Sequence, residues 1–205
     1  MPFTSVINSN LIDIHLTDAM LLGLVIYLIC RPFFFKRAGV LKNFLICLMF
    51  IYAGAIFSLT ISPILLPDVL HTNSNSFSYV LHAANFVPFK TTLLILYNGL
   101  TYNNTKAIIY NLGGNFVMLM PLGLLVPLIF KRVRFLRMAL IAVLAAVFIE
   151  SMQLLENFMC GFIHRDVNID DVIFNAIGCI AVYIVFADFR KLYEFIFHRK
   201  KAARN

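Results

Sequence analysis

The chain has 205 residues, of which 61% are hydrophobic and only 13% charged, and it carries a formal net charge of +7. This composition excludes a disordered chain and argues against a soluble domain, because the apolar residues form blocks of membrane length instead of alternating with polar ones. The positive charge is clustered at the ends of those blocks and not along one face. Anionic inner-leaflet lipid and the insertion machinery account for that pattern, and nucleic acid does not.

In chain order, residues 1–17 read as an extracytoplasmic N-terminal segment. Asp13 and Asp18 precede the first apolar run and the first basic residue, Arg31, follows it. That order favours a retained span over a cleaved signal peptide. Five spans are predicted, at about 18–35, 43–65, 114–130, 137–157 and 171–189. Each is long enough, at about 1.5 Å per residue, to cross a hydrocarbon core of about 30 Å. The predicted fold class is therefore an all-α integral membrane bundle forming a single domain over residues 18–189. A basic tail follows at 190–205. Its alternation of basic and aromatic residues suits an inner-leaflet anchor.

Orientation follows from the basic residues. Fourteen of the 17 Lys and Arg residues fall between spans one and two, between spans three and four, or in the tail. Only Lys90, Lys106 and Arg165 fall on the other side. The positive-inside rule then places the N-terminus outside and the C-terminus in the cytoplasm. The long connection, 66–113, is an outer loop in this arrangement. It carries Asn85-Phe-Val-Pro88-Phe89-Lys90 and then a short apolar run, 91–97, which reads as an interfacial or re-entrant segment. The four cysteines show no framework spacing. Cys30, Cys47 and Cys179 read as small buried hydrophobes, and Cys160 is assigned to an outer loop.

Polar residues inside spans are the chemically informative ones, since an ionisable group in lipid is costly. Glu150, Gln153 and Asn157 share one face of span four, with Glu150 roughly 10 Å below its outer end. Asp171, Asn175 and Gly178 share a face of span five, and Asp170 and Asp171 sit at its start, where carboxylates favour the dipole and cap free amides. Asn115 heads span three, and Pro121 and Gly123 follow as helix interruptions that can free a carbonyl for another partner. Spans four and five are joined by about a dozen residues, so their stripes can face each other. Arg165, between them, can pair with Glu150, Asp166 or Asp170.

Four ordered elements together resemble the VanZ-like membrane proteins: Asn85-Phe-Val-Pro88-Phe89-Lys90, then Asn115-Phe-Val-Met-Leu-Met-Pro121-Leu-Gly123, then Glu150-Ser-Met-Gln153, then Arg165-Asp-Val-Asn-Ile-Asp170-Asp171 running on to Asn175 and Gly178. The resemblance covers residues 85–185, about half the chain. Cys160-Gly161-Phe-Ile-His164 precedes Arg165 where a tighter Gly-Arg pair is common. The resemblance implies a multi-pass protein of the bacterial cytoplasmic membrane, associated with glycopeptide (teicoplanin-type) resistance or the cell envelope.

Two functional readings follow. In the first, an outward-facing pocket built from Asn115, Glu150, Gln153, Arg165, Asp170, Asp171 and Asn175 binds an amphiphile: a membrane lipid, a lipid-linked cell-wall precursor or a glycopeptide antibiotic. Arg165 holds an anionic group there, and Asn85, Pro88, Phe89 and Lys90 form an accompanying loop element. In the second, the protein is an enzyme acting on such a lipid, with Glu150 as general acid/base and Asp170 or Asp171 orienting water or a cation. The bland alternatives stand beside both: interhelical hydrogen-bonding for Glu150, Gln153 and Asn175, worth roughly 0.5–2 kcal/mol, and helix capping for Asp170 and Asp171. No cofactor or metal is expected. A divalent cation held by His164, Asp166, Asp170 and Asp171 with help from Glu150 is the less favoured alternative. The oligomeric state stays open.

Overall fold

A computed structural model of the chain describes residues 11–65, 74–130, 133–160 and 162–202. The first ten residues of the expected N-terminal segment, His71 to Asn73 of the outer loop, Lys131, Arg132, Gly161 and Arg204 lie outside the described residues. The elements are α1 (Leu16–Cys30), continued by a π-turn over Arg31–Phe35, then α2 (Val40–Thr60), α3 (Ser74–Ala83), α4 (Lys90–Thr101), α5 (Thr105–Ile108), α6 (Gly114–Met118), α7 (Met120–Ile129), α8 (Phe135–Cys160) and α9 (Ile169–Ala202). Two short strands, β1 (Leu11–Ile12) and β2 (Ile64–Leu65), pair antiparallel and tie the start of α1 to the end of α2.

Five helical stretches are long and apolar enough to cross a membrane: Leu16–Phe35, Val40–Thr60, Thr105–Ile129, Phe135–Cys160 and Ile169–Glu194. The chain is thus an all-helical five-span bundle. Three boundaries differ from the sequence expectation by five residues or more, each for a local reason. The second helix stops at Thr60 instead of running to residue 65, because Pro63 disfavours helical geometry at Ser62. The third begins at Thr105, ahead of the Gly113-Gly114 pair. Asn104 caps it by accepting from the Ala107 amide at 3.3 Å, and a π-turn over Ile109–Gly113 carries the helix through to α6. The fifth helix continues to Ala202, because no Gly or Pro interrupts it after Gly178. Cys160 is the last residue of α8 and is buried, so its assignment to an outer loop is corrected, and all four cysteines are free thiols.

The core lies where α7, α8 and α9 meet, around Leu119, Met138, Ala142, Ala146 and Cys179. Helix α9 also packs on α6, while α1 packs on α2 and α2 touches α7. Without a hydrophobic drive between helices in lipid, close backbone approach supplies the packing energy. Here Gly178 faces the Phe116 carbonyl and Gly123 faces the Cys179 carbonyl, so near that a Cβ on either glycine would overlap backbone. This contact presses the N-terminal half of span three onto α9 beside Asp171.

The expected interruption of span three has a defined form. Leu119 leaves helical geometry, Pro121 opens α7, and the Leu122 amide turns to the Leu119 carbonyl at 3.2 Å. The Met118 carbonyl, deprived of that amide, accepts the Tyr52 hydroxyl at 2.7 Å. That bond joins α2 to the kink.

Candidate functional site

One end of the bundle collects the end of α2, α3 and α4, the start of span three, the end of α8 and the start of α9. Between α2, span three, α8 and α9 lies a cavity of about 660 Å³. Its polar wall contains Asn115, Glu150, Gln153, Arg165, Asp166 and Asp171, and its apolar wall contains Ile56, Leu59 and Val117. Five of the seven residues expected to form a pocket therefore line this cavity. Asp170 and Asn175 do not.

Glu150 is buried at 8% exposure. Its Oε2 accepts the Asn168 amide at 3.0 Å, which fixes the connection between α8 and α9 to the side of α8. The carboxylates of Asp166 and Asp171 are near enough to interact electrostatically with Glu150. Asn115 and Asp171 line the cavity together across the span-three–α9 contact. Gln153, one turn from Glu150, donates Nε2 to the Thr60 carbonyl at 3.0 Å and closes the cavity against the end of α2.

Arg165 does not pair with Glu150. Its Nε reaches Glu156 Oε2 at 3.3 Å, and Nη2 donates to the carbonyls of Ile61 at 2.8 Å and Pro63 at 3.3 Å. Glu156 is buried, and His164 Nε2 stands 3.7 Å from its other oxygen. Asn157 completes this cluster: its Oδ1 accepts the amides of His164 and Arg165, each at 2.8 Å, and its Nδ2 donates to the Arg165 carbonyl at 2.8 Å. The loop is thereby folded back over the end of α8.

Asp170 faces away from the cavity and caps α4. Its Oδ2 accepts the Thr92 amide at 2.8 Å and the Thr92 hydroxyl at 2.9 Å, and its Oδ1 accepts the Phe89 amide. The first amides of a helix have no intrahelical partner, so a buried carboxylate from another helix satisfies both the free donors and the dipole. Phe89 adopts a left-handed backbone (φ 64°), which aims its amide at Asp170. Asn85 is bound to Asn168 twice over, through backbone bonds to its neighbours Val167 and Ile169 and through its side-chain amide at 3.0 Å from Asn168 Oδ1. Its Nδ2 also reaches Thr91 Oγ1 at 2.8 Å. Pro88 forms the turn between these anchors, and Lys90 is exposed at the first position of α4. The loop element thus braces the cavity from behind.

Asn175 is fully buried, and neither its oxygen nor its nitrogen has a hydrogen-bond partner among the described residues. Among the same residues no group of three or more His, Cys, Asp or Glu side chains is arranged to hold a metal ion. His164 turns to Glu156 and Asp170 to Thr92, so the donors considered for a cation are not brought together.

Sequence reasoning missed Glu156, Thr92, Asn168 and Tyr52. Glu156 lies one turn beyond Gln153, at the edge of the polar stripe, and that spacing was the available signal. Asn168 precedes Ile169-Asp170 in the position of an N-cap and accepts the Asp170 amide at 3.1 Å. For Thr92 and Tyr52, whose partners lie far away in sequence, local pattern carried no signal.

A family model described as VanZ/LLP1 matches residues 44–191. The match includes every cavity-lining residue and the α4 brace. Neither the curated proteins nor the solved structures give a significant match.

Proposed function

The chain belongs to the VanZ/LLP1 family, and from that premise we propose that it is an amphiphile-binding protein of the bacterial cytoplasmic membrane. The observation that carries this reading is the cavity's division into a polar wall and an apolar wall at one end of a membrane bundle. A lipid-linked envelope component or an amphiphilic glycopeptide finds partners there for both of its parts: amides and carboxylates for the headgroup, hydrocarbon for the tail. Contribution to glycopeptide resistance or to envelope homeostasis is the physiological setting that the reading suggests.

The cavity faces outward in this proposal. Supporting it, Lys36, Arg37, Lys42, Arg134, Arg137, Arg190 and Lys191 all occupy the opposite end of the bundle from the cavity. A catalytic variant of the proposal draws on Glu150, a carboxylate on the cavity wall, as a general acid/base requires.

The test is lipid analysis of the protein purified in mild detergent from its native membrane, beside an Ala55→Trp variant that fills the cavity. One amphiphile enriched over the bulk membrane in the wild type and absent from the variant supports the proposal. Identical lipid profiles would overturn it.

A further inference from the structure

The charge on the cavity wall is one-sided. Glu150, Asp166 and Asp171 all line it, and their carboxylates lie within electrostatic reach of one another. Arg165 is the cation among the lining residues. Its Nε and Nη2 are committed to Glu156 and to the carbonyls of Ile61 and Pro63. Glu156 is not on the cavity wall, so it balances Arg165 from behind. Three lining carboxylates thus face one lining cation, whose Nε and Nη2 are already turned to Glu156 and to two carbonyls.

The opposite wall is built for hydrocarbon. Leu59 on α2, together with Tyr110 and Val117 on span three, flanks the cavity and is more than half exposed, on segments that cross the membrane. The gap between α2 and span three therefore opens sideways into lipid, with the carboxylates at its inner end.

We infer that the headgroup this cavity accepts is cationic, an amine-bearing amphiphile that enters laterally between α2 and span three. The inference rests on the amphiphile-binding proposal and adds to it the sign of the headgroup's charge. A phosphate headgroup meets three carboxylates and one guanidinium whose Nε and Nη2 are engaged, and in a site of low dielectric that repulsion is poorly screened. An ammonium offers three donors and no acceptor. Those donors find acceptors among the Glu150 and Asp171 carboxylates and the side-chain amide oxygens of Asn115 and Gln153, all on the cavity wall. A neutral sugar headgroup satisfies the amides but leaves the carboxylates uncompensated.

The experiment uses the full chain in phosphatidylcholine nanodiscs and a dodecylamine probe with a photoreactive tail. Unlabelled dodecylamine, dodecyl phosphate and dodecyl glucoside, which share one tail, compete with the probe for labelling. The amine is expected to compete roughly tenfold or more better than the other two. Glu150→Gln combined with Asp171→Asn is expected to abolish that preference. Asp166 is exposed, so its side chain is not packed into the fold. Asp166→Asn therefore serves as the variant that cannot be dismissed as misfolded, and it should lower the preference by roughly threefold.

Equal competition by glucoside and amine would overturn the charge assignment while leaving the amphiphile-binding proposal standing. Strongest competition by the phosphate, with or without Mg²⁺, would likewise overturn it. An absence of saturable labelling beyond that of empty discs would overturn both.

Discussion

The Arg165 guanidinium is held by Glu156, with Nε 3.3 Å from Oε2, and not by Glu150, which lines the cavity on the same helix. The carboxylate that charge-pairs and the carboxylate that faces the cavity are therefore different residues. Removing Arg165 should accordingly act on stability first. Glu156 is 7% exposed, and stripping its cation leaves a buried charge uncompensated, at a cost of roughly 2–4 kcal/mol. Thermal unfolding in detergent should show Arg165→Ala far less stable than wild type, and the double change Arg165→Met with Glu156→Gln should recover much of the loss. A single variant as stable as wild type would mean that the pair does not hold the loop.

Asp170 and Thr92 make a second separable prediction. Asp170→Ala removes the acceptor for the Phe89 and Thr92 amides and should cost about 1–3 kcal/mol, concentrated at the start of α4. Hydrogen exchange should show the amides of residues 89–92 losing protection while α8 keeps its own. If protection persists there but ligand binding vanishes, Asp170 belongs to the cavity after all.

Gly178 tests the helix contact that positions Asn115 against Asp171. A Cβ at this position overlaps the Phe116 carbonyl, so Gly178→Ala must push span three from α9. The expected loss is about 1–3 kcal/mol. A cysteine pair across the α6–α9 contact should crosslink less readily in that background. Unchanged crosslinking and stability would show that the contact is looser than described.

Orientation can be read by labelling. Native Cys160 is buried, so it is a poor reporter. In a cysteine-free background, Phe162→Cys, at an exposed site, should react with an impermeant maleimide applied to intact spheroplasts, and Lys36→Cys should react only after lysis. The reverse pattern would invert the topology and move the cavity to the cytoplasmic face.

Much of this architecture is legible in the sequence because a membrane is an unforgiving solvent. A span must be continuous hydrocarbon, so five apolar runs were visible, and the polar stripe of Glu150 and Gln153 stood out against them. Asn115, Arg165 and Asp171 were drawn to the same site by order along the chain and helical spacing. What could not be read was pairing over distance. Asp170 looks like an ordinary first-turn carboxylate of its own helix, and only the fold reveals that it caps α4, whose Thr92 lies 78 residues upstream. Nor did spacing decide among Arg165's acceptors, because the choice of Glu156 depends on how Asn157 turns the loop. The early start of span three was hidden by Gly113-Gly114, a pair that reads as a break but here lies in a helix continued by a π-turn.

In the proposed function the cavity holds an amphiphile distinct from bulk lipid. Photo-crosslinking in living cells tests it most directly, with benzoylphenylalanine at Ile56 on the cavity wall and at Leu28 on the exposed face of α1 as the control. Position 56 is expected to capture one polar-headed amphiphile, and position 28 the general phospholipid mixture. The same mixture at both positions would contradict it.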